Sequence, residues 1–214
     1  MSWSSIFQAV QLTRIQVMLF IVVTTTCGAN AQLPSWADRR LPVKDGVLVW
    51  LDAAAIPKAA QAAELPQIAD GDRLARWFDA SGNQRDFVQA KESDQPKLIQ
   101  IDDGWSVRFD GESDHLRCVT VPGTTSASTI LIVAAPHSNH GDYRGFFATN
   151  AAGERDYQSG LTIDLGRAAT PQFEQLNVEG LGFGGERDLL DDAASFGTLH
   201  TRCQSCRTRS MTSL

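Results

Sequence analysis

Residues 105–110 decide the fold, and they read Trp-Ser-Val-Arg-Phe-Asp. Successive side chains of a β-strand point to opposite faces, so this stretch places its three apolar side chains together and its polar ones opposite. We therefore expect Val107 and Phe109 to face a core. The pair Asp110-Gly111 predicts a hairpin turn, and residues 115–119 are predicted to form the returning strand.

Short apolar runs separated by Gly, Asp, Asn, Pro and Ser continue this pattern from residue 45 onward. Short apolar runs separated by turn-forming residues are typical of an all-β sandwich, in which two antiparallel sheets each bury one face. Residues 130–134 are apolar throughout, which predicts a central strand with both faces covered. The one predicted helix falls within residues 52–65, where Pro57 and Pro66 limit it to about two turns. The same pattern predicts further strands at residues 47–51, 74–78, 157–165, 173–179 and 196–201.

The composition is that of a globular protein. The chain has 214 residues, of which 43% are hydrophobic and 21% charged. These values exclude a disordered, collagen-like or disulfide-dense chain, and the length suits one domain. The 25 acidic and 19 basic residues give a net charge of −6. Because phosphate binding needs clustered Lys and Arg, nucleic acid is not expected as a partner.

The first 31 residues have the pattern of a signal peptide. Arg14 precedes an apolar run over residues 15–23, and small polar residues follow up to Ala31, after which we place the cleavage. The chain is thus predicted to be exported, to the periplasm or the extracellular space. An apolar run of this length is too short to cross a bilayer, which takes about 20 residues, so no stable membrane span is expected. The alternatives are an uncut N-terminal anchor and a lipoprotein modified at Cys27.

Residues 32–44 then form a predicted loose leader, and three cysteines follow the predicted cleavage. Cys118 lies in a predicted strand, where we expect it to be buried as a small apolar residue. Cys203 and Cys206 have the C-x-x-C spacing of redox and zinc sites. A redox pair needs a strand before it and a helix after it, and a zinc site needs further ligands. We interpret the pair as incidental.

Several motifs, taken in order, resemble the laminin-G-like branch of the concanavalin-A-like lectin/glucanase jelly rolls of secreted bacterial proteins. These motifs are residues 46–53, 77–83, 107–116, 128–134, 180–185 and 196–200. The resemblance covers residues 45–201 and implies a two-sheet antiparallel jelly-roll sandwich. Since this fold hosts lectins, hydrolases and adhesion modules, it does not by itself imply one function.

The resemblance stops after residue 201. Relatives continue with closing strands, whereas residues 202–214 of this chain show no alternation and contain three arginines. We therefore predict a non-matching tail and a sandwich without its closing strands. An uncovered edge would favour weak stability or self-association. A degenerate fragment of a larger secreted protein, with no independent function, is one alternative that this interpretation leaves open.

A catalytic pair is not predicted. The resemblance implies that related glucanases place carboxylates in a pattern like Glu-x-Asp-x-Glu, which puts both groups on one face of a strand. Glu112 and Asp114 are the nearest match, but they lie in a polar predicted turn without the third acid. The function predicted from the sequence is a secreted, non-catalytic binding or adhesion module, with a glycan or a cell-surface protein as partner. A secreted glycan hydrolase of the same fold is the alternative.

No metal or cofactor is assigned. Asp79, Ser81 and Asn83 have a spacing that could gather oxygens around Ca²⁺, but we interpret this stretch as an Asx turn. His137 and His140 are interpreted as loop histidines. The acidic run after the glycine-rich stretch is interpreted as an exposed loop; it comprises Glu186, Asp188, Asp191 and Asp192.

An exposed aromatic side chain can stack on a sugar ring, but the tryptophans of this chain do not indicate such a binding site. Trp50, Trp77 and Trp105 fall in predicted strands, where the core is their expected place, and Trp36 falls in the leader. No aromatic binding platform is therefore predicted.

Overall fold

The computed structural model describes residues 33–37, 39, 45–102, 104–119, 127–180, 187–190, 192–198 and 200–207. The predicted signal peptide lies outside this range, as do residues 181–186 and 208–214. Regular structure in the described residues is mostly strand, which confirms the all-β prediction. The described residues group into two compact units: residues up to 108 with 115–119, and residues 109–114 with those from 127 onward. The single domain expected from the length stays a prediction.

The first unit begins with a 3₁₀ turn, Ala53–Ala55, and helix α1, Ile56–Ala62. The carboxylate of Asp52 accepts a hydrogen bond from the Ala54 N–H and so caps the turn. Pro57 stands in the first turn of the helix, where its missing N–H leaves no bond unmade. The predicted helix of about two turns is confirmed.

Four short strands follow in two antiparallel pairs. Strand β1 (Arg76–Trp77) pairs with β2 (Phe87–Val88), and β3 (Lys97–Ile101) pairs with β4 (Gly104–Arg108). Between the pairs lies a 3₁₀ turn, Glu92–Asp94. The core of this unit consists of Ile56, Leu74 and Leu98, with the side chains of Trp77, Trp105 and Val107 packed against it. The inward placement predicted for Trp77, Trp105 and Val107 is confirmed.

The sequence prediction fails at the end of β4. This strand ends at Arg108, and Phe109 is 43% exposed instead of facing the core. The hairpin turn lies one strand earlier, between β3 and β4, where Asp102 adopts a left-handed φ of 49°. Asp110-Gly111 is instead part of a turn organised by the Asp110 carboxylate, which ends the alternation.

Two other predicted strands of this unit are reduced to single bridges. In the predicted strand 47–51 only Leu51 is bridged, to Asp79, and in 115–119 only Arg117 is bridged, to Val88. Cys118, expected to be buried, is partly exposed. Short apolar runs can therefore serve as extended connections that supply one or two backbone hydrogen bonds rather than a full ladder.

The second unit contains eight strands and one helical turn in the described residues. In chain order they are β5 (Ala127–Ala134), β6 (Asn139–His140), β7 (Gly145–Thr149), α2 (Asp156–Ser159), β8 (Leu161–Asp164), β9 (Ala169–Thr170), β10 (Asn177–Gly180), β11 (Arg187–Asp188) and β12 (His200–Arg207). Four of the strands form an antiparallel sheet in the order β11-β10-β8-β7, and the others form two smaller pairs, β12-β5 and β6-β9. The core of the second unit is made of Ile163, Leu165, Phe173, Leu176 and Val178.

Strand β5 is not covered on both faces. Ile130 and Ile132 pack against the core of the second unit, whereas Leu131 and Val133 are 66% and 61% exposed. The strand belongs to a two-stranded sheet in the described part of the chain, so only one of its faces meets a core. The apolar run predicted a strand correctly and its central position wrongly.

Strand β12 corrects the prediction for the C-terminal region. Residues 200–207 pair with β5 in one antiparallel register, from His200 opposite Ala134 to Arg207 opposite Ala127. An antiparallel ladder needs only backbone N–H and C=O groups, so the missing alternation did not prevent this strand from forming. The expectation that no strand follows residue 201 is therefore wrong for residues 202–207.

Among the described residues, no helix combines the length and the apolar character needed to cross a membrane.

Candidate functional site

A cleft of about 490 Å³ lies in the first unit, beside the turn that follows β1. Aromatic, acidic and amide side chains line it together. The lining residues are Pro34, Trp36, Phe78, Asp79, Gly82, Gln84 and Asp86. Such a mixture suits a ligand that has apolar faces and hydroxyl groups at once.

Two aromatic rings form the apolar wall of the cleft. Trp36 contacts Phe78 edge to face, with ring centroids 6.1 Å apart and an interplanar angle of 68°. Phe78 forms a buried cluster with Ala59 and Ala60 of α1, and Trp36 packs against this cluster while staying partly exposed. A short turn, closed by the Ala37 N–H and the Pro34 carbonyl at 3.1 Å, holds the segment in place. This part of the predicted loose leader is therefore packed against the first unit.

Asp79 lies 2% exposed at the back of the cleft, and both of its carboxylate oxygens are engaged. One oxygen accepts the backbone N–H groups of Trp50 and Ser81, each at 2.9 Å. The other accepts the Ser81 hydroxyl at 2.7 Å and the Arg85 N–H at 3.1 Å. A carboxylate has about four acceptor positions, so Asp79 is fully used in holding the turn.

These contacts bear directly on the predicted calcium spacing. The bond from the Ser81 N–H to the Asp79 carboxylate is that of an Asx turn, which confirms our interpretation of this stretch. Asn83 directs its amide nitrogen, not its oxygen, to the carbonyls of Val47 and Leu48, at 2.8 and 3.2 Å. A cation here would have to displace these donors, and an amide N–H does not bind a cation. The residues present do not fit a calcium ion.

Asp86 differs from Asp79 because one of its oxygens has no short hydrogen bond to the chain. Its Oδ1 accepts the Asp79 N–H at 2.9 Å, whereas Oδ2 lies 3.9 Å from the Arg76 guanidinium. The same guanidinium stands 5.7 Å from the centroid of the Phe78 ring. The Asp86 side chain is 28% exposed. The cleft thus holds one anchored carboxylate that keeps acceptor capacity for a ligand.

Glu112 and Asp114 lie in an exposed turn of the second unit. Asp110 organises this turn: its carboxylate accepts the backbone N–H groups of Glu112, Ser113 and Asp114 at 2.8 to 2.9 Å. Desolvation raises the pKa of Asp110, but these N–H groups, with the Ser113 hydroxyl, outweigh it and lower the pKa to about 2. Asp114 in turn accepts the Asp110 N–H at 2.9 Å. Glu112 and Asp114 are therefore parts of a turn, not neighbours on one face of a strand.

The two histidines and the C-x-x-C pair lie in different segments of the second unit. His137 and His140 are both exposed, and His140 lies in β6 rather than in the predicted loop. Cys203 and Cys206 lie within β12, which lacks the strand-to-helix setting of a redox C-x-x-C pair. In the described ranges, no three His, Cys, Asp or Glu side chains are grouped so that they could hold a metal ion.

The acidic run after the glycine-rich stretch is only partly described. Asp188 lies in β11, and its carboxylate accepts the N–H groups of Leu176 and Leu190, each at 3.0 Å. Asp192 is exposed, whereas Glu186 and Asp191 lie outside the described residues. Asp188 therefore belongs to the hydrogen bonding of the sheet.

Sequence reasoning missed the aromatic cleft. Trp36 was assigned to a leader and Phe78 to a strand, and nothing in their spacing relates them. One signal was available, because a tryptophan left in a solvated leader would expose a large apolar side chain. Its presence there indicates packing, although it does not indicate the packing partner.

No family model matches this chain, and no curated protein or solved structure is significantly similar to it. The resemblance to the laminin-G-like jelly rolls thus stays a prediction from the motifs.

Proposed function

We propose that this chain is an exported, non-catalytic binding module whose ligand is a glycan. The observation that carries the proposal is the cleft in which Trp36 and Phe78 stand beside Asp86 and Gln84. The C–H face of a sugar ring packs well against an aromatic ring. Sugar hydroxyls donate strong hydrogen bonds to a carboxylate, and an amide can both donate and accept.

The contacts of Asp79 favour binding over hydrolysis. A glycosidase needs two carboxyl groups that flank the bond to be cleaved, one of them acting as an acid. Two carboxylates line the cleft, but Asp79 uses both oxygens to accept donors from its own chain. Of these two carboxylates only Asp86 retains acceptor capacity, which suits recognition of hydroxyl groups.

We also propose a fold family and a cellular location for this chain. We place the chain with the laminin-G-like jelly rolls on its ordered motifs and its strand-rich structure. We place it outside the cytoplasm because residues 1–31 have the pattern of a signal peptide. Glycan-binding modules of exported proteins meet their ligands at cell surfaces. A cell-surface protein is the alternative partner of this chain.

A glycan array followed by calorimetry tests the proposal on the mature chain. Replacing Trp36 by Ala removes the partly exposed ring, and truncation of a central aromatic weakens binding by about 30-fold or more. Phe109→Ala is the matched control, because Phe109 is exposed and lies in the second unit. It should leave the affinity unchanged.

A second variant separates ligand contact from folding, because Trp36 also packs against the apolar cluster of Ala59, Ala60 and Phe78. Gln84→Gly removes an exposed amide at a position whose φ is 60°, a conformation that glycine adopts freely. We expect this variant to melt like the wild type and to bind the same glycan several-fold more weakly. The proposal fails if the array shows no bound glycan, or if neither cleft variant changes the affinity.

A further inference from the structure

We propose that Asp86 sets the specificity of the cleft, so that it selects neutral glycans over glycans carrying carboxylate or sulfate groups. This inference rests on the proposed function and names the class of ligand for that cleft.

Of the two carboxylates that line the cleft, Asp86 accepts fewer hydrogen bonds from the chain. The oxygens of Asp79 accept four donors from the chain, at 2.7 to 3.1 Å. Asp86 accepts one N–H, from Asp79, through Oδ1. Its Oδ2 lies 3.9 Å from Arg76, which is longer than a hydrogen bond. Asp86 is thus anchored through one oxygen and available through the other.

The anchoring matters for selectivity because it fixes where the negative charge lies. The bond from the Asp79 N–H sets the orientation of the Asp86 carboxylate, and Asp79 itself is held by its own four donors. A preorganised acceptor recognises a hydroxyl at a defined position without paying to order itself. It repels a ligand anion at the same position.

The positive charges near the cleft already face groups of the chain itself. Arg76 faces both Asp86 and the Phe78 ring, and the Arg85 guanidinium donates to the Leu48 carbonyl at 2.7 Å. Among the described residues that line the cleft, the charged ones are Asp79 and Asp86, with no lysine or arginine. A carboxylated or sulfated sugar would therefore meet two acidic side chains in the lining and would have to compete with Asp86 for the Arg76 guanidinium.

The first test uses the wild-type chain and needs no variant. Calorimetry at low salt compares neutral probes, cellohexaose, laminarihexaose and xylohexaose, with anionic probes, hexagalacturonate and a chondroitin sulfate hexasaccharide. We expect the best neutral probe to bind at least about tenfold more tightly than any anionic one, and the difference to shrink at high salt, which screens the repulsion.

The second test assigns this selectivity to one residue. Asp86→Asn keeps the shape and an oxygen for the Asp79 N–H but removes the charge. We expect neutral binding to weaken by about tenfold or more, since a charge-assisted bond becomes a neutral one. Anionic probes should weaken less or gain. Asp72→Asn is the control, because it removes one exposed carboxylate of the same unit away from the cleft lining.

The outcomes separate the two proposals. If no probe and no arrayed glycan binds, the proposed function fails. If glycans bind through Trp36 but anionic probes bind as tightly as neutral ones, or Asp86→Asn binds like the wild type, the inference about Asp86 is wrong and glycan binding stands. Should Asp86→Asn not fold, the comparison of probes on the wild-type chain still decides the selectivity.

Discussion

Trp36 meets Phe78 edge to face, with their ring centroids 6.1 Å apart. The contact brings a residue near the start of the described chain onto the residue that follows β1. Because Trp36 packs against the cluster that Phe78 forms with Ala59 and Ala60 of α1, the same contact closes a small apolar core and forms the wall of the cleft. Ligand affinity and local stability are therefore coupled at Trp36.

Asp79 should be more important for stability than any other carboxylate of the cleft. In Asp79→Ala, the backbone N–H groups of Trp50, Ser81 and Arg85 and the Ser81 hydroxyl lose their acceptor at positions that are buried or partly buried. We expect a loss of about 3–5 kcal/mol in the free energy of unfolding, measured in urea. Asp72→Ala, which releases one exposed N–H, should cost less than about 1 kcal/mol. Equal effects of the two substitutions would contradict the role of Asp79.

The turn at residues 110–114 should lose stability in acid. The folded pKa of Asp110, about 2, lies below its ordinary value of 3.8, so the folded chain binds fewer protons than the unfolded chain between these values. The contribution is complete above about pH 4 and disappears as the pH falls through about 2. Because Asp110 is exposed, we expect no more than about 1 kcal/mol. Carboxyl NMR of Asp110 measures the pKa, and a midpoint near 4 would disprove this account.

Catalysis by the acidic turn should be absent. We expect no glycoside hydrolysis that depends on Glu112 or Asp114, since the turn places neither carboxyl across a bond from a partner. Release of reducing sugar from laminarin and from other β-glucans by wild type, Glu112→Gln and Asp114→Asn measures this. Cleavage by the wild type that Glu112→Gln abolishes would establish the hydrolase alternative.

Removing β12 should expose an edge of β5. A chain that stops after residue 201 loses six of the eight register pairs between these strands. We expect the melting temperature to fall by about 5 °C or more, and the exposed strand to promote association, detected by light scattering. A chain that stops after Arg207 keeps every residue of β12 and should behave like the full chain. If both truncations behave alike, the pairing of β12 with β5 contributes nothing to stability.

Export should remove the first 31 residues. N-terminal sequencing of protein recovered outside the cytoplasm is expected to begin at Gln32, because the small residues up to Ala31 suit the peptidase. Trp36 then lies five residues into the mature chain, so the cleft keeps its aromatic wall. Recovery of exported protein that begins at Met1 would refute the cleavage site.

Local patterns predicted the local structure well. Pro57 and Pro66 limited the helix correctly, the alternation placed Trp105 and Val107 inward, and the Asx turn at Asp79 follows from its own side-chain chemistry. Each of these depends on groups within a few residues of one another.

The prediction for Phe109 failed for a local reason, because the alternation continues in sequence but the hydrogen bonds to Asp110 form a turn directly after β4. The other failures depend on contacts between distant residues. Leu131 and Val133 are exposed because the neighbours of β5, not its own residues, determine which face is covered. The cleft was missed for the same reason, since Trp36 and Phe78 are distant in sequence and no local pattern indicates their direct contact.

The first compact unit is made of two separate stretches of chain, because residues 109–114 belong to the second. Leu116 packs against Ile56, Leu74 and Leu98, and Arg117 exchanges two backbone hydrogen bonds with Val88. A gene segment that ended at Arg108 would encode every residue lining the cleft and still omit part of what supports it. The chain up to Arg108 is therefore not enough to transfer the cleft to another protein. Grafting it onto another protein requires the chain at least to residue 119, including the intervening loop.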